Sequence, residues 1–366
     1  MGSRSGAMPW AVVLLLLVII CAISFGLGKV GQNLFGGSTL GHCKILNIAN
    51  LQDLQTTQTG FVYYDGNTVS CIGSDGNTRW SYLVGVNAGF RATDYGVAAW
   101  SGNTITLIDA QTGATTYNGT LDEAVQGAYI GDRYTAILTG ESGASSSTMM
   151  LMENGGRQVN RILLDDVLVV DYGFYSNGTL LWVMVCDTNG TVPVCNIQTY
   201  KPSREIVGSI SDTQQLVYAV SFQSSQVCVV GDTYIKLYDY AGVENTAARR
   251  LSYGWYLAAW DHSKNDPLMA FVKDAQYSDG NIQDVRLVRS DIDKVVRMPF
   301  TCRDLAVSGD TVFGFAADGH MMILPSSQGK AESYRLNITV DQVYGVTRDH
   351  VAVLGSGDSI YLVNLE

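Results

Sequence analysis

DGNTVSCIGSDG, Asp65 to Gly76, holds a tight turn, a run in which apolar residues alternate with polar ones, and a second tight turn. Alternation at period two marks a strand, and Asp-Gly steps supply the backbone freedom that a hairpin turn needs. FVYY, just before Asp65, is also strand-like, so the unit reads strand, turn, strand, turn. The pattern returns as SGNTITLIDAQTG from Ser101 to Gly113 and as GDTYIKLYDYAG from Gly231 to Gly242. It returns again as DGHMMILPSSQG from Asp318 to Gly329 and as SGDSIYLVNLE from Ser356.

The turn glycines count the units. Gly66 to Gly102 is 36 residues, and Gly102 to Gly231 is 129, or three steps of 43. Gly231 to Gly319 is 88, or two steps of 44, and Gly319 to Gly357 is 38. Seven steps imply eight units, three of them degenerate. Their hairpins fall at Tyr134 to Leu151, Leu180 to Thr199, and Met269 to Val288. Repeats of about 40 residues carrying several strands each indicate a β-propeller, because one blade cannot bury both of its faces alone. The fold expected is all-β: an eight-bladed propeller of four-stranded antiparallel blades, or seven-bladed if one middle unit is an elaborated blade. The chain ends on a third-strand motif with no fourth strand left. HCKILNIANL, His42 to Leu51, is a spare strand that would complete the last blade and join the two chain ends.

LIDAQTGATTY, Leu107 to Tyr117, and SDGNTRWSY, Ser74 to Tyr82, resemble the quinoprotein-type (PQQ-type) propeller repeat. In that repeat a strand turns through TG or DG and re-enters with an aromatic residue that docks on the next blade. Trp80 occupies that place in the first unit and Tyr117 in the second; the later units lack the Trp. The layout is also similar to uncharacterised single-pass membrane-anchored propeller proteins of Gram-positive bacteria. Quinoprotein enzymes hold their cofactor between a Trp floor and an adjacent-cysteine disulfide. No two cysteines are adjacent here, so the resemblance implies a non-catalytic binding platform with no cofactor.

WAVVLLLLVIICAISFGL, Trp10 to Leu27, carries no charge. Its eighteen residues span about 27 Å as a helix, close to the roughly 30 Å hydrocarbon core of a bilayer. The small-x-small step Ala22-Ile23-Ser24 lies inside the run, where it serves poorly as a cleavage site. The expected organisation is a short tail (1–8), a transmembrane helix (9–28), a Gly-rich tether (29–41) and the propeller (42–366). Arg4 and the amino terminus precede the helix and Lys29 follows it. The positive-inside rule then puts the N-terminus in the cytoplasm and the propeller on the extracytoplasmic side of the cell membrane.

A formal net charge of −11 with only 16% charged residues argues against nucleic acid and against electrostatic docking on anionic lipid. Six cysteines follow the apolar run. A four-residue loop at Asn189 to Val192 would set Cys186 opposite Cys195, which admits a disulfide; two small strand residues are the alternative. No zinc spacing, P-loop, HExxH or GxSxG appears, so no catalytic or metal-ligating residue is assigned. His262, His320 and His350 fall in loops and turns. The densest aromatic stretch is YGWYLAAW, with Tyr253, Trp255, Tyr256 and Trp260. These rings are either core or a rim for a protein or envelope component. The function expected is a membrane-anchored binding or scaffolding module. The rival is an enzyme acting on wall glycan or peptide through carboxylates in the propeller channel.

Overall fold

The computed structural model describes residues 38–39, 43–141, 143, 146–175, 180–191, 193–203, 206–223, 225–262 and 264–365. The apolar run 10–27 lies outside these residues. Among the described residues, no helix is long and apolar enough to cross a membrane.

Eight four-stranded antiparallel sheets follow one another along the chain, at 53–83, 89–120, 125–164, 168–212, 217–251, 255–302, 304–335 and 342–364. They are numbered here as blades 1 to 8. Blade 8 takes its fourth strand from Cys43–Leu46, which pairs antiparallel with Ser359–Asn364 in the register Cys43↔Val363 to Leu46↔Ile360. The ring therefore closes through the segment that the spare-strand argument chose, and the blade count is eight. Ser38–Thr39, inside the stretch read as tether, pair in parallel with Tyr334 and Arg335 on the fourth strand of blade 7.

Alternation explains why a ring forms. In the second and third strands both faces are apolar, so each blade needs a neighbour on either side. Phe61 packs toward blade 8 and Val62 toward blade 2. Eight clusters of buried apolar residues result, one at each seam. Each fully buried Phe, Leu or Val contributes about 1.5–3 kcal/mol.

The fourth strands reinforce the seams by reaching the next blade's turn. Trp80 Nε1 donates to Ala110 O at 3.0 Å, and its ring leaves no room for a side chain at Gly113 (φ +71°). Tyr117 covers Gly156 in the same way. Where the aromatic is missing, a cation takes over. Lys44 Nζ donates to Asp75 O and Gly76 O, Arg250 to Arg289 O and Ser290 O, and Lys294 to Ser326 O and Gln328 O. Between blades 4 and 5 the backbones abut directly at Gly208 and Tyr240. The docking motif looks degenerate in sequence because one function is met by three chemistries: an aromatic ring, a cation or direct backbone contact.

Antiparallel meandering gives the disc two faces. The crossover face carries the turns between second and third strands and the passages from blade to blade. The hairpin face carries the other two turns of each blade. First strands of neighbouring blades lie against one another around the central channel.

Candidate functional site

Of the sixteen large apolar side chains exposed among the described residues, ten lie at the crossover face. Two stand between blades 1 and 2 and three where blade 3 passes to blade 4. The other five, Leu216, Leu251, Tyr253, Tyr256 and Tyr277, sit over blades 5 and 6. This last group is built by local geometry. Ser252 is fully buried and its Oγ donates to Gly231 O at 2.9 Å, while Trp255 N–H closes a turn onto Ser252 O at 2.8 Å. Gly254, at φ +79°, completes that turn. Tyr253 is thereby held out at the tip, 74% exposed. Behind it three tyrosines stack across two blades. Tyr218 and Tyr256 are 5.5 Å apart with rings 11° from parallel, and Tyr256 and Tyr277 are 4.5 Å apart. Tyr277 comes from the short helix Asp274–Ser278, inserted between the second and third strands of blade 6. Desolvation pushes the Tyr218 hydroxyl up to about 12, so it stays neutral and accepts the Leu257 N–H.

Trp255 and Trp260 occupy opposite ends of one strand, Trp255–Trp260, and both pack half-buried against the seam between blades 5 and 6. Trp255 belongs beside the tyrosines. Trp260 points to the other mouth of the channel, where its ring lies 4.2 Å from His262. The four aromatic candidates thus divide: three on the crossover face, one at the hairpin face.

At that second mouth, residues from distant blades meet. Arg91 of blade 2 reaches past blade 3 to Asp171 of blade 4, Nη2 to Oδ1 at 3.4 Å, and lies over Tyr129 at 4.6 Å. His262 is open to solvent by area yet surrounded by protein, because it projects into the channel. Desolvation holds its pKa below the ordinary value; Arg91 adds to this, and Asp171 and Asp261 oppose it. Asp94 has the reverse problem. Partial burial raises its pKa, against hydrogen bonds from Gln58 and the charge of Arg348. Neighbouring turns are laced together around the rim. Gln58 N–H and Nε2 donate to Asp94, Gly309 N–H donates to Asp261 at 3.0 Å, and Arg348 N–H donates to Gln58 O at 2.9 Å. Asp94, Asp171 and Asp261 therefore each hold the fold together as well as lining the mouth.

His350 stands in a turn, as the sequence put it, whereas His320 opens the strand His320–Pro325 just after its turn. His320 Nδ1 is 2.9 Å from Asp318, and the His350 ring is 5.3 Å from Phe313. His262 was also read as a polar loop residue, and that reading missed its surroundings. Arg91 and Asp171 lie 80 residues apart, and only the closed ring brings them beside His262. Cys186 and Cys195 are directly opposed, as the loop argument required, but both are free thiols. Cys195 Sγ also donates to the Val217 carbonyl at 3.8 Å. Among the described residues no group of His, Cys, Asp and Glu is gathered to hold a metal ion. Two open clefts exist elsewhere. One of about 640 Å³ on blade 3 is rimmed by Glu123, Glu141 and Asp165, and one of about 500 Å³ lies along the edge of blade 7.

No protein-family model matches the sequence, and no curated protein matches it at a significant level. Solved structures resemble the fold. The C-terminal WD40 domain of Sif2 superimposes with a TM-score of 0.60 at 9% identity, over 89% of this chain and 99% of that one. Sqt1 of Saccharomyces cerevisiae gives 0.58 at 9% identity, over 90% and 100%. BamB from Moraxella catarrhalis gives 0.52 at 12% identity, over 90% and 98%. At these identities the likeness concerns architecture alone.

Proposed function

We propose that the protein is a membrane-anchored, extracytoplasmic propeller that serves as a non-catalytic binding platform for a protein or envelope component. The carrying observation is the asymmetry of the disc. The apolar and aromatic side chains that remain exposed gather on the crossover face, with Tyr253, Trp255, Tyr256 and Tyr277 at their centre. Contiguous exposed apolar surface marks an interaction site, and tyrosine is a favoured contact residue there. The uncharged run 10–27, long enough to span a bilayer as a helix, supports the anchor. WD40 domains and BamB supply precedent for the scaffold. Crosslinked capture from intact membranes tests this reading. Wild-type protein should retain its crosslinked neighbours, and a Tyr253→Ser/Tyr256→Ser/Tyr277→Ser variant should lose them while keeping its fold. Unchanged capture by that variant would overturn the choice of face.

A second reading has one observation in its favour. Asp94, Asp171, Asp261 and a neutral His262 converge at the channel mouth, as a hydrolase acting on wall glycan or peptide would require. Against it, each carboxylate already has a structural partner. Turnover of wall fragments that disappears in Asp94→Asn would favour the enzyme.

A further inference from the structure

The proposed function leaves open what the crossover face meets. Three observations point to one occupant. The first is where the chain enters the propeller. Ser38 and Thr39 pair with Tyr334 and Arg335, at the end of blade 7 nearest the crossover face, where Leu336 N–H bonds the Gly319 carbonyl in a crossover-face turn. Ten residues, Gly28 to Gly37, separate this point from the apolar run. Ten residues span at most about 36 Å even fully extended, so the blade 7 rim is confined near the end of the membrane segment. The tyrosine patch is on the adjacent blade, at the same end of the disc.

The second observation is composition. Tyr253, Tyr256 and Tyr277, flanked by Trp255 and Leu251, present flat rings with polar tips. Such rings favour the headgroup level of a bilayer, where the ring is half-desolvated and the hydroxyl stays wet. The third is charge. Asp232 and Asp274 bear on Tyr218 and Asp304 on Tyr277, while Lys273 Nζ lies 6.0 Å from the Trp255 ring and Arg286 donates to Leu251 O, so the fringe carries both signs; on a chain of net charge −11 that suits a zwitterionic surface better than an anionic one. The strongly acidic cleft of Glu123, Glu141 and Asp165 belongs to blade 3, across the ring from blade 7. A disc tilted down at blades 6 and 7 would keep that cleft away from lipid.

We infer that the tyrosine patch over blades 5 and 6 rests in the interfacial layer of the membrane that anchors the chain, with zwitterionic lipid as its contact. This inference rests on the anchor reading above. It fixes the disc's orientation, with the crossover face down and the channel mouth of Arg91, Asp171 and His262 facing outward. Tethering makes the contact intramolecular, so a weak patch suffices.

Site-directed photocrosslinking tests it with the full chain reconstituted in phosphatidylcholine vesicles and no other protein. One sample carries Tyr253→p-benzoylphenylalanine; the other carries the same substitution at Tyr95, exposed on the hairpin face. The expected result is flotation of both chains with the vesicles, lipid adduct at 253 and none at 95. Replacing part of the phosphatidylcholine by phosphatidylglycerol should reduce the adduct. Flotation without lipid adduct at 253 would overturn the inference while leaving the anchor intact. Failure to float would overturn the anchor and the inference with it. Illumination in native membranes that joins 253 to a protein and not to lipid would show that the patch is a protein-docking site.

Discussion

Removing the carboxylate of Asp212 should be among the most damaging single changes in the propeller. Asp212 ends the fourth strand of blade 4, and Lys236 lies in the third strand of blade 5. Their charges meet at 2.9 Å with side chains 1% and 2% exposed, so the pair spans a seam out of reach of water. Gln215 Nε2 donates to Asp212 at 2.8 Å, and Lys236 also donates to Gln214 Oε1 at 3.2 Å. Asp212→Ala strands an ammonium group with one neutral acceptor, which costs about 3–5 kcal/mol. For about 320 ordered residues the unfolding entropy is near 0.7 kcal/mol/K, so the melting temperature should fall by about 4–7 °C. Lys236→Met should cost less, because Asp212 keeps its Gln215 and backbone donors. The double variant Asp212→Asn/Lys236→Met, with no buried charge left, should recover most of the loss. Differential scanning calorimetry with a double-mutant cycle reads all three. If Asp212→Ala melts within a degree of wild type, the pair is not dry and the seam is looser than described. If the double variant is as poor as the single one, shape and not charge is what Asp212 supplies.

Leu46→Ala tests ring closure. The side chain is 9% exposed in the seam between blades 8 and 1, so truncation should cost about 2–5 kcal/mol, and an unchanged thermal midpoint would contradict closure by Cys43–Leu46. Tyr253→Ala should leave stability within about 0.5 kcal/mol, whereas Trp260→Ala, half-buried against the seam, should cost about 3 kcal/mol; equal effects would sink the division into surface and core. His262 adds a pH dependence. Its folded pKa is lowered, so the fold resists its protonation, and that stability is present above the unfolded value of about 6.5 and is lost as pH falls below it. His262→Gln should flatten that part of the stability curve in denaturant titrations at successive pH values, and an identical slope would show that the imidazole is not constrained in the channel.

The sequence disclosed what local periodicity controls. Turn glycines recur at each second-to-third strand connection, so their spacing counted the blades, and Trp80 and Tyr117 revealed how a fourth strand docks on the next blade. Lys44, Arg250 and Lys294 do the same work without an aromatic signature, which is why the docking motif was recognisable only in the first two units. The first strand of each blade was also hard to read. Segments such as Asp53–Thr57 face the channel with polar side chains and show little apolar alternation. Tyr253 and Tyr256 were visible as members of an aromatic run. Tyr218 and Tyr277 were not, since they join the stack from another blade and from an inserted helix. The channel mouth was out of reach for the same reason: Arg91, Asp171 and His262 become neighbours only after eight blades close.

The central claim is that this disc works through its crossover face and not through chemistry in its channel. Two full-length variants, expressed in place of the wild-type protein, decide it in one comparison of cellular function. Tyr253→Ser/Tyr256→Ser/Tyr277→Ser alters the face, and Asp94→Asn/His262→Gln disables the channel groups. The account predicts that the face variant folds with a wild-type melting temperature yet fails to support the protein's role, while the channel variant supports it. A channel variant that folds normally and loses function, beside a face variant that retains it, would contradict the account.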